Sequence, residues 1–584
     1  MKIVFFTPHS AIWVHAFPEA LVAEALKQQG HDIRYIGCGE VFARHCVPMS
    51  AHRLKHDATG AEKAAVCRLC HANKQCIRKE FGFDGYDIAT VLDKQDMEQA
   101  KRLVSEATPQ NFLEIVIDGV EVGRSALSTF LLSYKRISLQ FSDQEWAIFS
   151  TELYNTILSF LACRKVLDRE RPDRVILYSS GYSVNLVWCL LAEARQIPFY
   201  YMNCGSNLSD RLQKVVLARG HSLQRRLLNH WDRFKDIPCS TSTMTYITDH
   251  VLELLKGRHD FVYSVPKSKD PLDIRHRFSI KPGQKILVAA MSSYDELFAA
   301  QVTGLFPSDF PLLFPTQVDW VRALFDFVRQ RSDLFLIVRS HPREFPNKRD
   351  SVKSEHARQI EEAFAELPVN ARVNLPADNI SLYDLAEVTD VCLNSWSTVG
   401  KELSLLGIPV VIYSPDLVFY PSDLNYLGTT HETYFEQIER ALKDGWNHER
   451  IRRTYRWLAL EDQYSRLDIS DSYSYKEHAQ RPFWQRIFGR VRRELSPHFQ
   501  QRSDCRHRAS KMAVAPLINR IVTEGRDSVL DIVETGQIER VSEQVETSAL
   551  KDQIGRLISA LYGDELSAPV PGTLRERLLE FVAS

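Results

Sequence analysis

Between Asp390 and Asp416 the chain reads DVCLNSWSTVGKELSLLGIPVVIYSPD, and few folds accommodate that run. Val391, Cys392 and Leu393 end a short apolar segment that reads as a buried strand. Asn394, Ser395, Ser397, Thr398 and Gly400 form a small polar turn. Lys401 to Leu406 read as a helix, Gly407 as its stop, and Ile408 to Tyr413 as the next strand. Strand, turn, helix and strand in so short a space predict one crossover of a parallel sheet. The hydroxyl-rich turn, the helix start and the carboxylate of Glu402 make a cradle for a phosphorylated ligand, because free N–H groups and the positive end of a helix dipole favour an anion there.

The same alternation recurs along the chain. Lys2 to Thr7 reads as a strand, Pro18 to Gln29 as a helix, and Asp32 to Gly37 as a second strand. A polar, cysteine-containing insertion follows over about 38–85, then helical patterns from Ile88 to Arg169. Arg174 to Tyr178, Val184 to Arg195 and Pro198 to Met202 read as strand, helix and strand. After a proline-marked polar segment a second unit begins. Its strands are expected at Lys285 to Ala290, Leu334 to Arg339 and Ala371 to Leu375, and its helices at Gln317 to Arg331, His356 to Leu367 and Ser381 to Glu387. The fold class is therefore α/β, two Rossmann-like domains facing a cleft, with a helical C-terminal appendage. The expected divisions are 1–265, 266–450, a crossover and basic segment at 451–509, and a small helical region at 510–584.

A chain of 584 residues exceeds a single core. Its hydrophobic and charged contents, 44% and 25%, are those of an ordinary globular protein. A net charge of −1 supplies no overall attraction to nucleic acid, and none is expected as a partner. The apolar run at the start, Ile3 to Phe6, is interrupted by Pro8 and His9 and reads as a strand, not a signal peptide. No apolar run approaches the roughly 20 residues that span a bilayer. With 11 scattered cysteines, reduced thiols and a cytoplasmic location are expected.

Three motifs follow strands in the second half: MSSYDE (Met291 to Glu296), VRSHPRE (Val338 to Glu344) and NSWSTVGKE (Asn394 to Glu402). Together, and in this order, they resemble the donor-binding domain of a GT-B glycosyltransferase. More narrowly they resemble the bacterial capsule polysaccharide biosynthesis group, which includes Kdo-transferring and sialyltransferase-like enzymes with a His-Pro motif. The resemblance covers roughly 285–420 through motifs and the N-terminal half through architecture. It implies that His341 contacts the donor phosphate and acts in catalysis, and that Ser395, Ser397 and Thr398 bind the same group. Glu402 suits the paired hydroxyls of a ribose. Arg339 and Arg343 suit the anion, since guanidinium geometry matches phosphate. Ser292 and Ser293 are further donor-side candidates, with ordinary turn formation as their other reading. No metal or cofactor is expected for catalysis.

The acceptor and the catalytic base are expected in the N-terminal half. His15, in the loop after the first strand, titrates near neutral pH and suits proton removal from a hydroxyl. Packing beside Trp13 is the competing role. Asp143 and Glu145 are weaker base candidates, because acidic residues at a helix start commonly serve the dipole. Ser180 and Tyr182, in the SSGYSVN turn, are acceptor-side candidates.

Cys67, Cys70 and Cys76 form C-x-x-C-x5-C, with Cys46 upstream. Structural zinc on these four would staple a polar insertion that has little core of its own. Free loop thiols are the alternative, and an iron–sulfur cluster is a third reading. Phe483 to Leu495 is a basic amphipathic segment with Trp484 and Phe488 on its apolar face. That pattern suits peripheral contact with an anionic inner membrane, or domain packing.

The sequence thus favours transfer of a sugar from a nucleotide-activated donor, a CMP-activated acidic sugar above a UDP- or GDP-activated one, to a cell-surface polysaccharide or its lipid-linked precursor. Two other readings stand beside it: a nucleotide-sugar epimerase of the same fold, and a non-catalytic nucleotide- or glycan-binding scaffold.

Overall fold

The structure, a computed structural model, describes residues 1–210, 213–221, 224–257, 263, 265–268, 272–347, 351–472, 499–506, 512–563 and 570–584. The basic segment Phe483 to Leu495 lies outside the described residues. The chain forms two six-stranded sheets, each flanked by helices, as the two Rossmann-like units expected from the sequence.

The N-terminal sheet contains β1 (Lys2–Phe6), β2 (Asp32–Ile36), β5 (Arg174–Tyr178), β6 (Phe199–Cys204), β7 (Lys214–Arg219) and β14 (Leu467–Asp468). A separate hairpin is formed by β3 (Val116–Ile117) and β4 (Val120–Glu121). The order is β14-β7-β6-β5-β1-β2. β7 runs antiparallel to β6, and β14 antiparallel to β7. The parallel strands are nearly continuous apolar runs because helices cover both faces.

The C-terminal sheet is wholly parallel, ordered β10-β9-β8-β11-β12-β13. Its members are β8 (Lys285–Ala290), β9 (Leu334–Arg339), β10 (Ala371–Asn374), β11 (Val391–Asn394), β12 (Val410–Ile412) and β13 (Tyr426–Leu427). Strand order reverses between β8 and β11, which opens a crevice at their carboxyl ends. Register decides what reaches it. Ala290 pairs with Arg339 and with Asn394, Arg339 with Asn374, and Asn394 with Ile412. One row across the sheet therefore ends each strand at the same height, and the three motifs begin there.

The first helix starts at Trp13, five residues before Pro18, where the sequence had placed it. A proline inside the helix forfeits one backbone bond, and burial of Phe17, Leu21, Val22 and Leu26 offsets that loss. The insertion is more ordered than its polarity suggests. It carries a 22-residue helix, Gly60–Phe81, opened by a capping box between Thr59 and Glu62 and closed by Gly82 in the left-handed region.

After the second sheet the chain returns to the first. The helix His448–Leu458 leads to β14, which pairs with β7. The helix Ala515–Thr523 buries Ile518, Ile521 and Val522 in the core beneath β1 and β6. The helix Glu543–Tyr562 packs on the helix Thr241–Lys256. Its Glu546, fully buried, accepts hydrogen bonds from Arg456 at 2.6 Å and from the Cys239 backbone N–H at 2.8 Å.

Candidate functional site

A cavity of about 130 Å³ opens at the reversal point of the C-terminal sheet. Arg339, His341, Ser397, Thr398 and Glu402 line it, brought there by the ends of β9 and β11. Tyr263, Tyr383 and Ser340 also line it, and the sequence reading did not single them out.

Arg339 is 7% exposed, and among the described residues no carboxylate pairs with it at ion-pair distance. Its guanidinium donates to the Asn374 side chain and, at 3.0 Å, to the Ile380 carbonyl, both neutral. Burial pushes its pKa down to about 10 against the opposing pull of Glu402 and Asp384. A buried cation held by neutral groups is costly unless an anion completes it.

His341 caps the turn Pro342–Glu344. Its Nδ1 accepts the Arg343 backbone N–H at 3.2 Å. That bond assigns the remaining proton of the neutral ring to Nε2. Burial holds the imidazole pKa below its ordinary value, with Glu296 pulling the other way. At neutral pH the ring is a neutral Nε2–H donor, not a base.

Glu402 accepts from the Tyr383 hydroxyl and from Thr398 Oγ1, each at 3.0 Å. The turn is shaped by Asn394, whose Nδ2 donates to the Ser397 carbonyl and to Tyr420 Oη, both at 2.9 Å. Gly400 is required for that packing: a Cβ there would stand 2.0 Å from Tyr420 Oη. The helix that follows, Val399–Ser404, starts two residues before the expected Lys401 and has the same six-residue length, too short to carry much dipole. The anion-binding capacity of the cavity therefore rests on Arg339, His341 and the hydroxyls.

The other expected donor-side residues are engaged elsewhere. Ser292 Oγ bonds Ser395 Oγ at 2.8 Å, and Gln317 bridges them by accepting the Ser292 N–H at 2.7 Å and Ser395 Oγ–H at 3.1 Å. This latch ties the end of β8 to the end of β11. Ser293 donates to Glu296. Arg343 reaches away from the cavity. It forms a bidentate pair with Asp295 (Nε to Oδ1 at 3.2 Å, Nη2 to Oδ2 at 2.7 Å) and donates to the Leu132 carbonyl of the helix Leu127–Tyr134 at 2.6 Å. Its remaining Nη1 donates to Tyr263 Oη at 3.1 Å. Arg343 thus clamps the C-terminal half to the N-terminal one.

None of the N-terminal candidates lines the Arg339 cavity. His15 stacks on Tyr178, the last residue of β5, at 4.0 Å between ring centres. Ser180 donates to the His221 carbonyl at 3.1 Å. Tyr182 meets His9 edge-on at 4.9 Å, and burial pushes its hydroxyl up to about 12. Both lie in the loop at the carboxyl end of β5. Asp143 and Glu145 start the helix Asp143–Glu170. Glu145 closes a capping box on Ser142 and pairs with Arg136 at 3.2 Å. Burial raises its pKa, but the Ser142 bonds and Arg136 outweigh that and hold the carboxyl below its usual range, which suits a cap better than a base.

Cys46, Cys67 and Cys70 line a second cavity, and Cys38 joins them there. Cys76, expected with them, does not: nine residues beyond Cys67 on one helix, it faces the opposite side and packs beside the core of β1. No disulfide joins any of the eleven cysteines.

No family model matches the chain, and no curated protein matches it. Solved structures with low similarity include the UDP-GlcNAc 2-epimerase of Methanocaldococcus jannaschii, 13% identical over 78% of this chain and 98% of that one, TM-score 0.27. KpsC of Thermosulfurimonas dismutans, a β-Kdo 2,4 transferase, is 15% identical over 44% of this chain and 74% of that one, TM-score 0.29. The glycosyltransferase SnogD of Streptomyces nogalater is 15% identical over 79% and 95%, TM-score 0.22. Similarity of this degree carries no argument about chemistry.

Proposed function

We propose that the protein transfers a sugar from a nucleotide-activated donor to a bacterial cell-surface polysaccharide or its lipid-linked precursor. The observation that carries this reading is Arg339, a buried guanidinium with only neutral partners, beside the His341 Nε2–H donor at the reversal point of a Rossmann-like sheet. In such a transfer the departing nucleotide gains negative charge on its phosphate. Fixed donors aimed at that oxygen lower the barrier most. Arg339 and His341 supply them, and Ser397 and Thr398 add hydroxyls. Glu402, held by Tyr383 and Thr398, presents a carboxylate to the ribose. A hydroxyl of the acceptor would enter from the N-terminal half, where His15 and the Ser180–Tyr182 loop cap the strand ends.

A CMP-activated acidic sugar is the favoured donor, on the strength of the His-Pro resemblance. No helix among the described residues is long and apolar enough to cross a membrane. A lipid-linked acceptor would be reached through the basic segment Phe483 to Leu495. The test is titration with CMP, UDP and GDP, followed by product analysis with the matching sugar nucleotides. Binding of one nucleotide with transfer to an added glycan is the expected result. Interconversion of the free sugar nucleotide without acceptor would make the protein an epimerase, and binding without turnover would make it a scaffold.

A further inference from the structure

The second cavity has a composition that the proposed sugar transfer does not use. It lies between the loop after β1, the loop after β2 and the helix Gly60–Phe81, and it encloses about 40 Å³, where roughly 10–15 Å³ already admits one water. Four thiols face it from three segments: Cys38 after β2, Cys46 ahead of the short helix Val47–Ala51, and Cys67 and Cys70 one turn apart on the long helix. Pro8, Phe42, Val66 and Val184 supply apolar wall between them.

The polar groups on the wall offer electron pairs. His9, 5% exposed, donates from Nε2 to Asn185 Oδ1 at 3.2 Å, since the Asn185 amide nitrogen is committed to the Tyr178 carbonyl at 2.7 Å. That leaves His9 Nδ1 buried with its lone pair unmatched. Asn155, 1% exposed, donates to the His45 carbonyl at 2.7 Å, and its Oδ1 is likewise buried and unmatched. The buried cation on the wall, Lys74, is already paired with Asp87. Four thiols from three segments around one cavity are the donor set of a metal centre.

Spacing decides which kind. Four thiolates on one tetrahedral zinc, with bonds of about 2.3 Å, crowd their sulfurs together. Among the described residues only His45, His56 and Glu152 bring three ligand atoms within 4.8 Å of one another; no three thiols do. That histidine pair is stacked ring on ring at 3.6 Å and 25°, and neither histidine lines the thiol cavity. A polynuclear cluster holds its four cysteines at the corners of a larger body.

We infer that Cys38, Cys46, Cys67 and Cys70 bind an iron–sulfur cluster of the four-cysteine class. The cluster staples the 38–85 insertion to the loop after β1, through a wall that includes Pro8 and His9. Cys76 takes no part.

The test uses the full chain purified without oxygen and, in parallel, the aerobically purified chain reconstituted with ferrous iron and sulfide. Visible absorption that dithionite bleaches is expected, with iron and acid-labile sulfide present in equal amounts, near two or near four each per chain. Cys38→Ser should lose most of the iron and Cys76→Ser should keep it, with both variants compared to the parent by circular dichroism. Stoichiometric zinc without sulfide would overturn the cluster, and so would a chain that stays metal-free after reconstitution. Loss of iron in Cys76→Ser with retention in folded Cys38→Ser would overturn the ligand set. If Cys38→Ser does not fold, Cys67→Ser and Cys70→Ser against Cys76→Ser decide the same question.

Discussion

Replacing Arg343 with methionine separates two roles that the sequence could not. Met is close in volume but leaves the carboxylate of Asp295 buried, at 0% exposure, with no cation within reach of its bidentate site. It also removes the donor that the Leu132 carbonyl accepts across the two halves. Breaking a buried pair from one side costs about 3–5 kcal/mol, because the surviving charge stays desolvated. In a protein of marginal stability that is roughly a hundredfold or more in the ratio of folded to unfolded chains. Urea denaturation followed by fluorescence reads this cost. The double variant Arg343→Met with Asp295→Leu should recover most of it, since two apolar side chains restore a neutral site. Nucleotide affinity of the single variant, measured where it is folded, should stay close to that of the parent. A loss of stability under about 1 kcal/mol together with a tenfold fall in nucleotide affinity would refute the clamp and return Arg343 to the ligand.

Four further outcomes follow from the same geometry. His341→Asn keeps an acceptor for the Arg343 N–H while removing the Nε2–H donor, and transfer should fall about a hundredfold with the melting temperature unchanged. The pH dependence has a definite sign: the folded pKa of His341 is depressed by burial, so its contribution to stability is complete above about pH 6.5 and is lost as pH falls toward the folded value. Thermal melts of wild type should drop more steeply than those of His341→Asn on acidification from pH 7 to pH 5. Glu402→Ala should weaken nucleotide binding by calorimetry more than it changes the chemical step, because its proposed partner is the ribose. The basic segment predicts co-sedimentation with anionic liposomes that declines as salt rises, since charge attraction is screened over about 10 Å at 0.1 M, and that Trp484→Ser with Phe488→Ser reduces.

Strands with unbroken apolar runs were legible. Lys285–Ala290 and Leu334–Arg339 have the bounds their residues predict, because a strand buried on both faces leaves no ambiguity of face or length. The turn after β11 was legible to within two residues: the helix expected from Lys401 begins at Val399. What escaped were elements set by distant partners. β14 is two residues long and is a strand only because β7 offers it an edge. Arg343 and Arg339 flank one histidine and look alike in sequence. They part because β9 ends at Arg339, which leaves its side chain under the crevice, while the turn started by Pro342 swings Arg343 toward the other half. Spacing on the helix Gly60–Phe81 could have excluded Cys76, since nine residues place it half a turn from Cys67. Cys38 carried no such signal: only the parallel pairing of β1 and β2 brings its loop over that helix.

The return of the chain to its first sheet sets the order in which the protein can be made. Trp13 binds Asp504, 491 residues away, and Tyr200 donates to the Ile521 carbonyl, 321 residues away. During synthesis the N-terminal sheet therefore emerges with β7 as an unprotected edge, and with the surface that will receive Ile518 and Ile521 open to water. Both stay so until the whole second sheet has been translated. Unpaired edges and exposed apolar faces are where nascent chains associate wrongly, and contacts of such separation form slowly. The N-terminal half therefore keeps an open edge and an open apolar face while the second sheet is translated. Expressing the two halves as separate pieces would strand the first without the segment that closes it.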